Sequence, residues 1–287
     1  MKGKKWIGII IFLLFLGFVG YSIYSSTQED QTISVRTAEV EERDITEVVV
    51  TTGMIEPAQT QEIVGQGVVS ELNVAVGDSV EEGDTLVSYV DGTSFTANFN
   101  GTVTEVNVTE EEADANAQQG QSSIVISDLS DLEVSIQLSR SDAGLVEEDQ
   151  AVELEYADTM YDGTVASIDP VATTQQTQIG SSTSLGATIA FDSNTDDLIA
   201  GFEIDVDIIV DSAEGALVIP IEALNYNQDN EPYVFVLSGS EVSQVMIETG
   251  IQSDAYIQVT DGLSEGDQVV LSPGEDLEDG AEVEIDE

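Results

Sequence analysis

The sequence predicts a mainly β chain carried behind one N-terminal transmembrane helix. Two observations give the β prediction. Short runs rich in Val, Ile and Thr recur from Ile33 onward, separated by Gly-Asp and Asn-Gly pairs that read as tight turns between strands. No later run has helical spacing over a length that would make a bundle. A third observation gives the helix. Trp6 to Tyr24, WIGIIIFLLFLGFVGYSIY, carries no charge and spans about 28 Å at the helical rise, close to a bilayer core. Trp6, Tyr21 and Tyr24 stand at its ends, as interfacial aromatics do. Lys2, Lys4 and Lys5 precede it, which places the N-terminus in the cytoplasm and the bulk of the chain outside a single-pass cell-membrane protein. The alternative is a cleaved signal peptide. The apolar run is long for one, and Tyr24 stands where cleavage needs a small residue.

The 287 residues suffice for two or three small domains. The chain has no Cys and no His. It therefore lacks thiolate nucleophiles, disulfides, the commonest metal ligand and the commonest general base, and no enzyme is expected. Charge is one-sided: 57 acids face 6 bases, and everything after Lys5 sets all of those acids against Arg36, Arg43 and Arg140. Such a surface repels nucleic acid and anionic headgroups. It reads as salt-adapted, halophilic solvation in which repulsion is screened; the other reading is cation binding.

Taken in order, Met1 to Lys5 is a basic n-region and 25–32 a polar linker. Strands are expected at Ile33–Val40, Asp44–Gly53 continuing to Pro57, and Gln61–Val64. An alternating run, Val69, Leu72, Val74 and Val76, ends in the turn Gly77-Asp78. Ser79–Val80, the turn Gly83-Asp84, Thr85–Val90, the turn Asp91-Gly92, Phe95–Phe99, Asn100-Gly101 and Thr102–Val108 follow, and Ser122–Ile126 closes the set. Beyond it, Glu133–Leu138, Ala151–Tyr156, Gly163–Ile168, Ala187–Phe191 and Glu203–Val210 suit a small β-barrel. Ser141–Glu147 reads as a short helix with Ser141 as N-cap. Thr173–Leu185 is a polar loop with little to bury. Ala216–Leu224, with Pro220 marking an edge or crossing, opens a last set: Tyr233–Leu237, Gln244–Glu248, Ala255–Val259 and Gln268–Leu271.

Residues 67–103 resemble a biotinyl/lipoyl-type β-sandwich built of two similar halves. Gly67, Gly77-Asp78, Val80, Gly83-Asp84 and Leu86 carry the resemblance in the first half, Asn100-Gly101 and Val103 in the second. In a carrier of that fold the central hairpin presents a lysine for lipoate or biotin. Here that hairpin is Val90-Asp91-Gly92-Thr93, and no lysine follows Lys5. Without an ε-amine there is nothing to acylate, so a structural use of the sandwich is expected.

The whole exposed chain resembles the periplasmic adaptor (membrane fusion protein) family of efflux transporters. Thr52-Gly53 with Ile55 and Pro57 matches the entry to the sandwich, and Asp128-Leu129-Ser130-Asp131-Leu132 with Val134 its exit. Tyr161, Gly163, Val165, Ile168 and Pro170, then Gly201-Phe202 with Val206, then Val218 to Leu224, match barrel motifs. Thr249-Gly250 and Asp261 to Val270 match the terminal domain. The resemblance implies nested domains: a membrane-proximal β-domain of 33–43 and 213–287, a β-barrel of 44–58 and 130–212, and a lipoyl-like sandwich of 59–129. It implies a non-enzymatic accessory subunit docked on an integral-membrane transporter, expected to be an ABC permease, and a homo-oligomer. The chain departs from the family twice. Adaptors usually insert an α-helical hairpin at the sandwich's central turn, where only Asp91-Gly92-Thr93-Ser94 stands, which fits a cell with one membrane. Asp149-Gln150 replaces the usual Gly-Gln. The alternative function is a stand-alone cell-surface binding or structural protein.

No catalytic, cofactor-binding or metal-binding residue is assigned. Asp192, Asn194, Asp196 and Glu203 have the spacing of an EF-hand loop, but Asp197 stands where glycine belongs and the flanks read as strands, so a β-hairpin loop is the better account. Asn225, Asn227, Asp229 and Glu231 are a weaker version.

Overall fold

A computed structural model describes residues 33–286 apart from 178, 179 and 275. The predicted anchor at 6–24, with its n-region and the linker 25–32, lies outside the described residues. Among these, no helix is long and apolar enough to cross a membrane. The chain is mainly β, as expected. It forms two compact units: Thr46–Ser212, and Ala213–Glu287 with the segment that ends at Ile45.

The first unit holds a barrel and a sandwich. In the barrel the sheet order is Ala151–Tyr156, Thr159–Ile168, Gly180–Phe191, Leu132–Leu138, Glu41–Pro57 and Glu203–Pro220. The last strand pairs back on the first, with Val152 opposite Ile208 and Leu154 opposite Val206, and this closes the ring. Alternation drives the closure. In Leu132–Leu138 the residues Leu132, Val134, Ile136 and Leu138 are buried and those between them are not. Val134 lies opposite Ile55 on one side and Ile189 on the other. With Leu154, Val206 and Ile208 these side chains fill the barrel, and a closed ring leaves no unpaired edge at its seam.

The sandwich has two four-stranded sheets. One is Thr60–Ile63, Ile124–Ser127, Gly101–Val106 and Ser79–Val80; the other is Ser94–Thr96, Thr85–Tyr89, Gly67–Leu72 and Ala113–Asp114. Each sheet takes strands from both halves of the repeat, so neither half closes a core alone. Ile63, Val69, Leu86, Val87, Val103, Ile124 and Ile126 form that core. The Gly-Asp pairs explain themselves here. Gly77 and Gly83 sit at φ +92° and +93°, open to glycine at little cost. The carboxylates of Asp78 and Asp84 accept the backbone N–H of Ala75 and Glu81, both at 2.9 Å. Each turn is also tied to the other half, Gly77 N to Val103 O and Gly83 N to Ala97 O, both at 2.8 Å.

In the second unit, Asn225–Tyr226, Pro232–Ser238, Gln268–Leu271, Ile33–Glu39 and Val283–Ile285 lie in that order, with Glu241–Met246 also on Pro232–Ser238. Tyr256–Asp261 pairs with Glu248–Gln252 and with Val218 to Pro220. Pro220 thus ends a strand, and a 3-10 turn, Ile221–Ala223, follows. Val40, Ile219, Val234, Ile257 and Val269 form the largest core cluster of this unit.

Several expectations need correction. Thr173–Leu185 is not a loop: Thr173–Thr177 and Gly180–Phe191 pair as a hairpin, Thr173 opposite Ser184. Ser141 caps no helix. Only a 3-10 turn, Asp142–Gly144, forms there, and Ser141 makes no capping bond. Instead Ser139 Oγ bonds to the Asp142 carboxylate at 2.5 Å. Phe95–Phe99 is a ladder only over Ser94–Thr96, because Ala97 turns away to bond Gly83 and Asp84. Glu203–Val210 runs on to Pro220. Gln244–Glu248 divides at Ile247 into Glu241–Met246 and Glu248–Gln252. Asp149 sits at φ +68°, a left-handed position that favours glycine, and Asp is among the few side chains that tolerate it. Asp149 thus holds a backbone position that a glycine would adopt without strain.

Candidate functional site

The central hairpin of the sandwich is a closed tight turn. Gly92 N donates to Tyr89 O at 2.9 Å and Tyr89 N to Thr93 O at 2.8 Å. Asp91 Oδ1 accepts the Thr93 backbone N–H at 2.9 Å. That bond first, and the Thr93 side chain second, hold the Asp91 carboxyl below its ordinary range. Val90 is 70% exposed. The turn carries no side-chain amine.

Directly behind it lies a buried polar network that sequence reading missed. Tyr89 OH donates to Asp114 Oδ2 at 2.7 Å, and Ser123 Oγ donates to the same oxygen at 2.6 Å. Asn116 N donates to Asp114 Oδ1 at 3.0 Å. Ser123 Oγ in turn accepts the Gly65 N–H at 2.9 Å. Tyr89, Asp114 and Ser123 are all buried. Burial, and then the bond to Asp114, push the Tyr89 phenol up to about 12. Burial works to raise Asp114 as well, but the bonds from Ser123, Tyr89 and Asn116 outweigh it and hold the carboxyl below its ordinary value. The network joins both halves of the repeat beneath the hairpin and is a structural tie.

The Asp192–Glu203 segment does not link neighbouring strands. Gly180–Phe191 and Glu203–Pro220 are separated in the barrel by Leu132–Leu138 and Glu41–Pro57, so the segment is a crossover and not the expected hairpin loop. Its oxygens serve local bonds: Asp192 Oδ2 accepts Thr164 Oγ1 at 2.9 Å, and Asn194 bonds Asp196 through both side chain and backbone. Leu198 anchors it in the barrel core. Asn227 Oδ1 likewise accepts the N–H groups of Asp229 and Glu231, both at 2.9 Å, inside a hairpin turn. Among the described residues no group of three or more acidic side chains is arranged to hold a metal ion. Glu133 is raised by burial first and then by Glu56, directly opposite on the next strand, and Asp131.

Among the described residues two ion pairs form, Arg36 to Glu222 at 3.0 Å and Arg43 to Glu41 at 2.6 Å, all four side chains substantially exposed. Arg43 also lies 4.3 Å over the Tyr256 ring. Exposed pairs contribute about 0–1 kcal/mol each, so the acidic surface is left largely uncompensated. The melting temperature of the full chain is therefore expected to rise by several degrees between low and molar NaCl, followed by far-UV circular dichroism. A flat response would refute that self-repulsion.

Residues 216–285 match the family described as YknX, C-terminal permuted SH3-like domain. The chain is 32% identical over 96 residues to Multidrug resistance protein MdtA of Cronobacter turicensis, a stretch that covers 33% of this chain and 23% of that protein. MdtA of Erwinia amylovora is 31% identical over 96 residues, covering 33% of this chain and 24% of the relative. The match thus spans about a quarter of the curated relatives' length. Among solved structures, MacA from Actinobacillus actinomycetemcomitans superimposes with a TM-score of 0.70 at 21% identity, covering 82% of this chain and 99% of that one. At that identity the likeness is one of fold.

Proposed function

We propose that the chain is a member of the membrane fusion, or periplasmic adaptor, protein family and a non-enzymatic accessory subunit of an efflux transporter. The terminal-domain match, the partial likeness to MdtA and the shared fold support this reading. The observation that carries the reading is the terminal domain, residues 216–285, which matches the YknX C-terminal family on one continuous stretch. Trp6 to Tyr24 anchors the protein in the cell membrane, with the N-terminus in the cytoplasm and the bulk outside. The domains nest as 33–43 with 213–287, 44–58 with 130–212, and 59–129. The partner is an integral-membrane transporter of the ABC type, engaged by a homo-oligomer, in a cell with one membrane. The short turn at Asp91–Ser94 supports the last point, since a subunit with nothing to reach beyond its own membrane needs no extension there. The buried Tyr89–Asp114–Ser123 tie supports a spacer role for the sandwich.

Co-purification tests this. Pulled down in mild detergent, the intact chain is expected to bring a membrane permease with it, and deletion of 216–287 to abolish the association. Should no permease accompany the intact chain, the adaptor reading gives way to a stand-alone surface protein.

A further inference from the structure

Beyond the end of the barrel strand Leu132–Leu138 lies an open cavity of about 440 Å³. Ser139, Arg140, Ala143, Ala172, Ser184 and Leu185 are among the residues that line it. Its hydroxyls are already engaged: Ser139 Oγ bonds Asp142, Thr183 Oγ1 bonds Thr174, and Ser184 Oγ donates to Gln137. Arg140 is not. It is exposed and takes no part in the ion pairs found among the described residues, whereas Arg36 and Arg43 each hold a carboxylate. In a chain of 57 acids, this guanidinium stands without a carboxylate beside the aliphatic side chains of the cavity and is free to meet one from outside. Its fixed fork of donors matches a carboxylate in bidentate fashion. The cavity falls in the size range of small-molecule sites, which pair an apolar lining with a few oriented polar groups. A dianion would meet twice the repulsion of this acidic surface that a monoanion meets.

We propose that this cavity binds a small aliphatic monocarboxylate, its head on Arg140 and its chain against Ala143, Ala172 and Leu185. The inference does not rest on the adaptor reading, and its failure would leave permease co-purification unaffected. The test uses the full chain in lipid nanodiscs titrated with sodium octanoate by calorimetry, with empty discs subtracted. Saturable binding is expected. Arg140→Gln should weaken it about tenfold or more, as loss of a charge-assisted pair does, and Arg140→Lys by less. Octanol, with the same chain and no charge, should bind about tenfold more weakly than octanoate. Ala172→Trp, which fills the cavity from an exposed position, should block octanoate with Arg140 still present. Equal binding by wild type and Arg140→Gln, equal binding of octanol, or no saturable binding would overturn the proposal. So would a change of oligomeric mass in Arg140→Gln without octanoate binding, which would make the cavity a contact between copies.

Discussion

Replacing Asp114 by Ala is expected to destabilise the sandwich by about 3 kcal/mol, because it leaves the buried Tyr89 and Ser123 hydroxyls without their acceptor. Asp114→Asn keeps one oxygen for them but turns its amide toward the Asn116 N–H, and about half that loss is expected. Tyr89→Phe removes one donor from a carboxylate that keeps two others, at about 1 kcal/mol. Thermal unfolding of the full chain by circular dichroism would rank the three. The pH dependence gives an independent check. The folded Asp114 carboxyl is held below its ordinary value. Its contribution is therefore present above the unfolded carboxylate pKa of about 3.9 and is lost as pH falls through the folded value. The gap between wild type and Asp114→Ala should narrow on acidification. Tyr89, raised to about 12, acts at the other end: its contribution is full below about pH 10 and disappears as pH rises through about 12. A gap that stays constant across acid pH would exclude Asp114 as the group responsible.

Gly101→Val and Gly77→Val are both expected to weaken the sandwich, for different reasons. Gly77 stands in open space at φ +92°, so a β-branched residue there costs backbone strain of about 1–3 kcal/mol. Gly101 opens an extended strand without a positive φ. A Cβ there would meet Ile126 Cγ2 and the Ser127 carbonyl, both at 2.9 Å, and Phe99 at 3.0 Å. The carbonyl belongs to the neighbouring strand and cannot swing aside. Overpacking of about 3 kcal/mol is expected. Removing the Ile126 Cγ2 with Ile126→Ala should, as the coupling in a double-mutant cycle, recover part of the loss for Gly101→Val and none for Gly77→Val. Rescue of both, or of neither, would show that the two glycines do not differ in this way.

The Asn100-Gly101 pair shows where sequence reading stopped. A turn was legible there, and the strand pattern around it was legible from alternation, as in Leu132 to Leu138. That the glycine is demanded by the neighbouring strand and not by its own dihedral was not, because Ile126 and Ser127 are remote in sequence. The Thr173–Ser184 hairpin escaped for another reason. Its pairing rests on backbone bonds with no apolar face, so the period that reveals a strand is missing. Asp114 follows shortly after Glu110 to Glu112, and in the sequence nothing marks it as the one acid of that run that is buried. Arg140 was visible as one of three arginines, but its lack of a carboxylate could be read only once Arg36 and Arg43 were seen paired.

The turn at Asp91–Thr93 has a consequence for how such chains change over evolutionary time. Its two flanks are already fixed across the gap by the Tyr89 to Thr93 bond at 2.8 Å, and the Cβ direction at Gly92 meets nothing within 4 Å. A segment spliced in here begins and ends at neighbouring points on a rigid base, so both halves keep their ladders whatever the segment's length. The closure entropy of an added loop grows only logarithmically with its size. One insertion or deletion at this turn is thus enough to lengthen or shorten this end of the sandwich, with its core left unaltered.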